Sequence, residues 1–337
     1  MTKSSSNYQF SWQSICLTLI AIFCTTVGLI YLKGILIPFV FSIFLYFLVS
    51  PVIDFFQLKG NLPRFFSTAL TIFIGLFMAS VLLFSFFISI KLFAPEAGNY
   101  QIKLLDFAHR LKEFLEHHEI EVGKDLLISN LSNVPVVGFI KSLTSSLVGF
   151  LGNSLLVLVI LLFLIEGKDP KRVRNAQIQT ATNRINEYVR GKFIVSVGTG
   201  LLVWLILLVL GVDLAGMFGV LTFLLNFIPS VGSVIAIMLP LPIVLLEYGF
   251  GAIFMLSVIL PGAVQFAVGN VLEPKIMGDK LGLHPVVQLF SLLFWGAVWG
   301  VSGMFLAVPL IVVLKLFLEQ FKQTQVLANL LEGKLSL

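Results

Sequence analysis

Charged residues are scarce in this chain, and their scarcity excludes most classes of protein. Only 12% of the 337 residues are Asp, Glu, Lys or Arg, whereas 58% are hydrophobic, and the mean hydropathy is +1.02. An average soluble domain carries about 25% charged residues, which cover its surface. The composition therefore excludes an ordinary soluble enzyme and predicts an all-α, polytopic membrane protein in contact with the lipid bilayer.

Cysteines and catalytic motifs are equally sparse. The two cysteines, Cys16 and Cys24, lie in one apolar run, and a helix holds them too far apart for a disulfide bond. The sequence contains no zinc-protease, nucleophile-elbow or ATP-binding signature, so we expect no enzyme, no cofactor and no metal. The net charge of +5 is small, which argues against nucleic acid as a partner.

Carboxylates are missing from the middle of every apolar run. The acids nearest to these runs all fall at their ends: Asp54, Glu166, Asp213, Glu247, Glu273 and Asp279. Acids inside a membrane mark proton and cation paths, so their absence at mid-span argues against a relay of buried acids. Recognition is then left to neutral side chains and to backbone groups at helix breaks.

Apolar runs long enough to cross about 30 Å of hydrocarbon occupy most of the chain. Ordinary runs predict spanning helices at 12–32, 35–56, 65–92, 147–165, 193–212 and 250–268. Together with the polar stretch between the third and fourth runs, they predict three parts. These are an N-terminal three-span region at 1–92, an extramembrane helical region at 93–142, and a C-terminal region at 143–337.

Two later runs, 214–246 and 285–318, do not fit a single span. Each would be about 50 Å long as one straight helix, which is too long for one crossing and too short for two crossings and a turn. Each is interrupted by residues that disfavour helix, around Pro229 in the first and around Gly300 in the second. We expect two re-entrant hairpins, because interrupted segments of this kind form the substrate sites of transporters. A long tilted helix with a kink is the alternative.

Positive charge predicts the orientation of the chain in the membrane. The stretch 166–192 holds a dense cluster of Lys and Arg, so we expect it in the cytoplasm, and counting spans places both termini there as well. Hairpins would also put Lys275 and Lys280 in the cytoplasm, whereas two single crossings would put them outside. The hairpin arrangement therefore agrees better with the charge distribution.

The polar stretch after the third span contains an amphipathic helix. Apolar side chains recur at helical spacing within 101–116, with charged residues between them. Its apolar face needs a partner, which could be a second helix near 126–131, the membrane surface or another subunit. We expect a homo-oligomer. His117 and His118 are adjacent and face different sides of a helix, which argues against a metal pair.

Short segments around the two breaks resemble the signatures of a known family. Residues 225–232 read Leu-Asn-Phe-Ile-Pro-Ser-Val-Gly, and residues 269–278 read Gly-Asn-Val-Leu-Glu-Pro-Lys-Ile-Met-Gly, followed by Leu-Gly-Leu-His-Pro at 281–285. With Glu-Tyr-Val-Arg-Gly at 187–191 and Ala-Val-Pro at 307–309, these are similar to the motifs of the autoinducer-2 exporter (AI-2E) family, a large group of bacterial permease-like membrane proteins.

The resemblance implies secondary transport across the bacterial plasma membrane, with a small polar solute such as the furanone-type signal autoinducer-2 as the substrate. Some relatives look like sodium/proton antiporters, so exchange of a cation for protons is an alternative, and a non-transporting membrane scaffold is another. Ser230 stands where the family leads us to expect an aromatic residue, and Ser233 stands where proline is common. These departures bear on the solute more than on the fold.

Neutral polar residues near the breaks form the predicted solute site. They are Asn226, Ser230, Ser233, Gln265 and Ser302. The backbone is expected to break or hinge at Pro229, Gly232, Gly296, Gly300, Gly303 and Pro309, although close helix packing is the alternative role of Gly296 and Gly300. The candidates for a charged gate or for ion coupling are Glu273, Lys275 and Asp279, and the two acids would titrate in an antiporter.

Overall fold

The computed structural model describes residues 12–93, 95–117, 154–167, 176–277, 282–321 and 324–333, and every regular element among them is helical. The first helices are α1 (Trp12–Tyr31), α2 (Lys33–Leu58), α3 (Arg64–Phe93), α4 (Ala97–His117), α5 (Ser154–Glu166) and α6 (Ala176–Val209). They are followed by α7 (Ala215–Leu225), α8 (Val231–Met238), α9 (Leu241–Tyr248) and α10 (Ala252–Ala267). A π-helical turn (Val268–Leu272) leads to α11 (Glu273–Met277), α12 (Pro285–Trp299), α13 (Val301–Glu319) and α14 (Gln325–Leu331).

The prediction of an all-α membrane protein is confirmed. Within the described ranges, six helical segments are long and apolar enough to cross a bilayer. Large apolar side chains such as Phe65, Phe73 and Phe163 are exposed on the outside of the bundle, where lipid replaces water as the solvent. The amphipathic helix predicted within 101–116 is observed as α4. The second helix predicted near 126–131 lies outside the described residues.

Helix α6 begins well before the predicted span. The apolar run predicts a span that starts at 193, after the basic stretch 166–192, yet one helix runs from Ala176 to Val209. The reason is a face of buried residues at helical spacing, Ile185, Tyr188, Val189 and Lys192, which packs on the rest of the bundle. Charge content concealed this periodicity in the sequence.

The first long run folds back on itself as hairpin 1, which consists of α7, α8 and α9. The residues at its two open ends, Asp213 and Glu247, both contact Tyr100 of α4. The run therefore enters and leaves at the same end of the bundle, which we name the acidic end after these two carboxylates. The tip is tight because Gly232 packs directly on the carbonyl of Leu225, where a Cβ atom would overlap.

The second long run forms hairpin 2, which consists of α12 and α13. The chain reverses at Gly300, whose φ of +64° favours glycine. The Ser291 hydroxyl donates to the carbonyl of Ala307 at 2.9 Å and ties the two arms together. At the open end, Lys315 Nζ donates to the carbonyl of Gly282 at 3.0 Å. Gly296, a predicted break, stays inside α12.

The hairpins are inverted relative to each other. Hairpin 1 opens at the acidic end, and its tip reaches Ser196, one turn from Lys192. Hairpin 2 opens at the opposite, basic end, which we define by Arg64, Lys192 and Lys315. In the tip of hairpin 2, the Trp299 indole donates to the carbonyl of Leu29 at 3.0 Å, near the end of α1. Each tip therefore points toward the end at which the other hairpin opens.

Candidate functional site

The tip of hairpin 1 brings a buried amide against α6. Asn226 is only 3% exposed, and its Nδ2 donates to Ser196 Oγ at 3.2 Å. The approach is close because glycines face each other, and a Cβ on Gly200 would lie 2.8 Å from the carbonyl of Gly219. Small residues at helix crossings permit such contacts in membranes. A polar group is therefore held in place deep in an apolar bundle.

Further buried polar residues lie at a similar depth on α6 and α7. Thr199 is one turn along α6 from Ser196, and Thr222 is one turn before Asn226 on α7. Both threonines are 1% exposed. Thr199 Oγ1 donates to the carbonyl of Val195 at 2.7 Å, whereas Thr222 Oγ1 has no hydrogen-bond partner among the described residues. We name Ser196, Thr199, Thr222 and Asn226, together with Gln265, the polar layer.

Among the described residues, Gln265 is the one buried side chain with two polar atoms that lack a hydrogen-bond partner. It is 5% exposed on α10, and neither its Nε2 nor its Oε1 has a partner in the described part of the chain. A buried amide without hydrogen bonds costs roughly 1–3 kcal/mol in proteins. Such a cost is consistent with a group that is kept for binding rather than for stability.

The ion pair between Lys192 and Glu273 fixes the depth of Gln265. Helix α6 and the segment α10–α11 pack against each other as antiparallel helices, and this ion pair links them at the basic end. Gln265 precedes Glu273 by about two turns, so it lies level with the part of α6 that contains Thr199 and Gly200. Because Gly200 contacts Gly219 of α7, all members of the polar layer lie within about one helical turn in depth.

The other predicted site residues lie near the two tips. Ser230 is exposed at the tip of hairpin 1, where its φ is +58°, and Ser233 is half-buried on α8, which packs on α10. Ser302 is exposed in the first turn of α13, at the tip of hairpin 2. The structure thus places Asn226, Ser230 and Ser233 in one hairpin tip and Ser302 in the other.

The predicted hinge residues differ in their surroundings. Gly232 and Gly303 are buried at backbone crossings, where the carbonyls of Leu225 and Trp295 leave no room for a Cβ atom. Gly296 faces the side chain of Met304 inside α12, so it permits close packing of the two arms. Pro229 lies in the non-helical tip of hairpin 1, and Pro309 lies within the continuous helix α13.

The predicted charged gate contains a partner that sequence reasoning missed. Glu273 forms a salt bridge with Lys192, whose side chain is 7% exposed, directly after the π-helical turn. Turns of this kind shift the register of a helix and frequently mark functional sites. Lys275 is exposed, and Asp279 lies outside the described residues. The helical spacing between Tyr188 and Lys192 was the signal that could have identified the buried lysine.

A second cluster of charged and polar groups joins α4 to hairpin 1 at the acidic end. Tyr100 is 3% exposed, and its Oη lies 2.9 Å from Asp213 Oδ2 and 3.2 Å from Glu247 Oε2. Burial raises the pKa of Tyr100 far above its usual value, and the hydrogen bond to Asp213 adds to the shift. The phenol therefore stays protonated and acts as a donor. Nothing in the spacing of these residues pointed to this cluster.

The basic end has its own buried charge. Lys315 is 1% exposed, and its Nζ lies 2.5 Å from Glu332 Oε1 after α14 and 3.6 Å from Glu319 Oε1. The lysine therefore links the arms of hairpin 2 to the C-terminal helix. In the described segments, no group of three or more His, Cys, Asp and Glu residues is placed to hold a metal ion.

Comparisons with known proteins match nearly the whole chain. The family model for AI-2E family transporters matches residues 17–323. The chain is 30% identical over 326 residues to the AI-2 transport protein TqsA of Escherichia coli K12, covering 93% of each chain. It is 27% identical over 334 residues to YhhT of Escherichia coli K12, covering 94% of this chain and 93% of YhhT. It is 26% identical over 338 residues to PerM of the same organism, covering 92% of this chain and 94% of PerM.

Proposed function

Because the chain belongs to the AI-2E family of transporters, we propose that it is a secondary transporter that moves a small polar solute across the bacterial plasma membrane. The observation that carries the proposal is the Gln265 amide. It is buried, it has no partner among the described residues, and it lies at the depth of the broken tip that holds Asn226. A bound solute with hydroxyl or carbonyl groups would satisfy both ends of this amide.

The chemistry of the polar layer favours an uncharged solute. Its members are hydroxyl and amide side chains, which donate and accept hydrogen bonds without carrying charge. The ionised pair nearest to it, Lys192 with Glu273, is internally neutralised. Autoinducer-2, after which the relative TqsA is named an AI-2 transport protein, is a small polar molecule of this kind. We therefore propose autoinducer-2 or a similar compound as the solute.

The two hairpins provide the mechanism. Each runs inward from its own end of the bundle, and they meet through aromatic side chains beside the polar layer. Sliding of one hairpin against the other would open the layer to one end at a time, as alternating access requires. Ser230, Ser233 and Ser302 would then contact the solute as it enters or leaves through a tip.

Solute flux into vesicles tests this function. The purified protein, reconstituted into proteoliposomes, would be assayed with autoinducer-2 and with a panel of small neutral, anionic and cationic solutes. We expect flux of a neutral polar solute that Asn226→Ala abolishes while membrane insertion survives. Asn270→Ala is the matched control, since Asn270 is exposed and its Nδ2 donates to the carbonyl of Phe266, one turn earlier in the same helical segment. Equal flux in the Asn226 variant and the wild type would refute this site.

Exchange of a cation for protons is the alternative function. In that case Glu273 and Asp279 would titrate, and sodium would drive proton flux in the same vesicles. The pairing of Glu273 with Lys192 supports a gate instead, because a neutralised carboxylate attracts a cation weakly. A non-transporting scaffold is disfavoured, since it leaves the two tight hairpins and the buried polar layer without a role.

The proposed orientation places both termini in the cytoplasm. The basic end carries Arg64, Lys192 and Lys315 and adjoins the Lys- and Arg-rich stretch 166–192, whereas the acidic end carries Asp213 and Glu247 together with Lys91 and Lys103. Positive charge accumulates on the cytoplasmic side of membrane proteins. The basic end would therefore face the cytoplasm, and α4 would lie outside the cell, where its exposed side could contact another subunit of a homo-oligomer.

A further inference from the structure

A single phenol bridges the two open ends of hairpin 1. Tyr100 Oη contacts Asp213 in the segment before α7 and Glu247 in the last turn of α9. The ring of Tyr100 is buried against Phe93, with ring centroids 4.7 Å apart. Leu214, Ile243 and Leu246 pack on the same two rings. Helix α4 therefore reaches both arms of hairpin 1 through one residue.

The number of protons available for hydrogen bonding determines how strongly Tyr100 can bind both carboxyl groups. A phenol has one O–H donor, and an ionised carboxylate has none. If Asp213 and Glu247 were both ionised, the single O–H of Tyr100 could serve the two carboxylates only as a shared, weaker three-centre hydrogen bond, with two like charges held close together. One added proton resolves this, because a neutral carboxyl group can donate to Tyr100 while the phenol donates to the other carboxylate.

We propose that Tyr100 is a positioning residue for transport, which holds both arms of hairpin 1 against α4 most tightly while the carboxyl pair at its hydroxyl carries one proton. Loss of that proton to water leaves two like charges beside one phenol, and the resulting repulsion separates the arms from α4. Opening at the acidic end is thereby linked to the pH on that side. The inference concerns the movement of hairpin 1, so it holds whichever solute the polar layer binds.

The other ionisable groups near the cluster do not supply the missing proton. Lys103 lies on α4, with its Nζ 5.0 Å from the centroid of the Tyr100 ring, and its positive charge also attracts the carboxylate of Glu247. Tyr248 uses its hydroxyl to donate to the carbonyl of Gly211 at 2.7 Å. Lys91 on α3 is exposed. The backbone amide of Asp213 donates to Glu247, which joins the arms but adds no proton to the pair.

The distance between α4 and hairpin 1 can be measured without any solute. Spin labels would be placed at Ile102→Cys on α4 and at Phe250→Cys just beyond α9, two exposed positions, after Cys16→Ser and Cys24→Ser. In lipid nanodiscs at pH 5, we expect a narrow distribution of distances. At pH 9 we expect a longer, broader distribution, because the pair has then lost its proton.

Three variants distinguish a proton-dependent contact from ordinary packing. Tyr100→Phe keeps the ring and removes the hydroxyl, so the broad distribution is expected at both pH values. Asp213→Asn supplies a permanent N–H donor in place of the shared proton, so the narrow distribution is expected at both. Tyr248→Phe, the matched control, removes a phenol hydroxyl that contacts no carboxylate and is expected to respond to pH like the wild type.

Three results would overturn the proposal. The first is a wild-type distribution that is the same at pH 5 and pH 9. The second is a Tyr100→Phe variant that still changes with pH as the wild type does. The third is a distribution that becomes narrow again at pH 9 when sodium chloride is added, but not when choline chloride is added. A metal cation rather than a proton would then occupy the carboxyl pair. None of these readouts depends on solute flux, so the proposed function is tested separately.

Discussion

Phe227 and Phe305 stack with their ring centroids 4.6 Å apart, and the contact joins the two hairpins. Phe227 belongs to the tip of hairpin 1, and Phe305 lies in the first half of α13 in hairpin 2. Phe44 of α2 packs edge-on against both rings, at 5.9 and 5.5 Å. The inverted hairpins therefore meet at an aromatic cluster that is anchored on the N-terminal helices.

A double-mutant cycle measures how strongly the hairpins are coupled. Phe227→Ala and Phe305→Ala should each lower the free energy of unfolding by about 3 kcal/mol, and the double variant should lower it by less than the sum. Stacked aromatic pairs contribute about 0.5–1.5 kcal/mol beyond their buried area, which is the coupling we expect. Denaturant unfolding in detergent micelles measures all four proteins. Strict additivity would mean that the rings do not stack in the membrane protein.

Glycine at the two backbone crossings is expected to be irreplaceable. A Cβ atom at Gly232 would overlap the carbonyl of Leu225, and one at Gly303 would overlap the carbonyl of Trp295. Gly232→Ala and Gly303→Ala should each cost more than about 3 kcal/mol, because neither carbonyl can move without opening a hairpin. Thermal unfolding in micelles would show the loss.

Gly262→Ala is the control for these two variants. Nothing lies within 4 Å of a Cβ atom at Gly262, which is inside α10. Alanine there should be neutral or should stabilise the protein by up to about 1 kcal/mol, because it favours helix. If all three alanine variants unfolded at the same temperature, the hairpin crossings would have to be looser than the structure has them.

Replacing Lys192 alone should lower the free energy of unfolding more than replacing both Lys192 and Glu273. Lys192→Met leaves Glu273 without its partner in a site where the carboxylate is 24% exposed. We expect a loss of roughly 3–5 kcal/mol, most of which the double variant Lys192→Met with Glu273→Gln should recover. Asp106→Asn, which breaks an exposed pair with Arg110, should cost less than about 1 kcal/mol. Unfolding midpoints in micelles provide the comparison.

Labelling from one side of the membrane tests the orientation. In a protein with Cys16→Ser and Cys24→Ser, a membrane-impermeant thiol reagent should modify Lys103→Cys on intact cells. Lys275→Cys is exposed beside the gate and should react only after the cells are permeabilised. Reaction of Lys275→Cys on intact cells would contradict the re-entrant arrangement of hairpin 1, because a single crossing would place this residue outside.

Run length, helix-breaking residues and the distribution of positive charge favoured two hairpins over two kinked spans. The length of each run relative to the bilayer excluded a simple span, and Pro229 and Gly300 marked the positions at which the chain reverses. The ranges of the first three helices differ from the prediction by two residues or fewer at each end. Local signals of this kind require no knowledge of the partners of a residue.

Contacts between distant segments were not predictable from the sequence. Lys192 belongs to the basic stretch predicted for the cytoplasm, yet it is buried and paired with Glu273, 81 positions away. Lys315 is likewise buried, and it pairs with Glu332 of the C-terminal segment. Tyr100 contacts two carboxylates more than a hundred positions away, and no pattern in the sequence near Tyr100 predicts these contacts. Gly296 lies in a glycine-rich segment that predicts a break, but it stays helical and packs against Met304 of the opposite arm.

The most direct test of the account is flux through Gln265→Met in proteoliposomes that transport a neutral polar solute. Methionine has a similar length and is apolar, so it removes the unpartnered amide and spares the packing of α10. We predict at least a tenfold loss of flux, with an unfolding temperature equal to or above that of the wild type. Wild-type flux in this variant would contradict the assignment of the polar layer as the solute site.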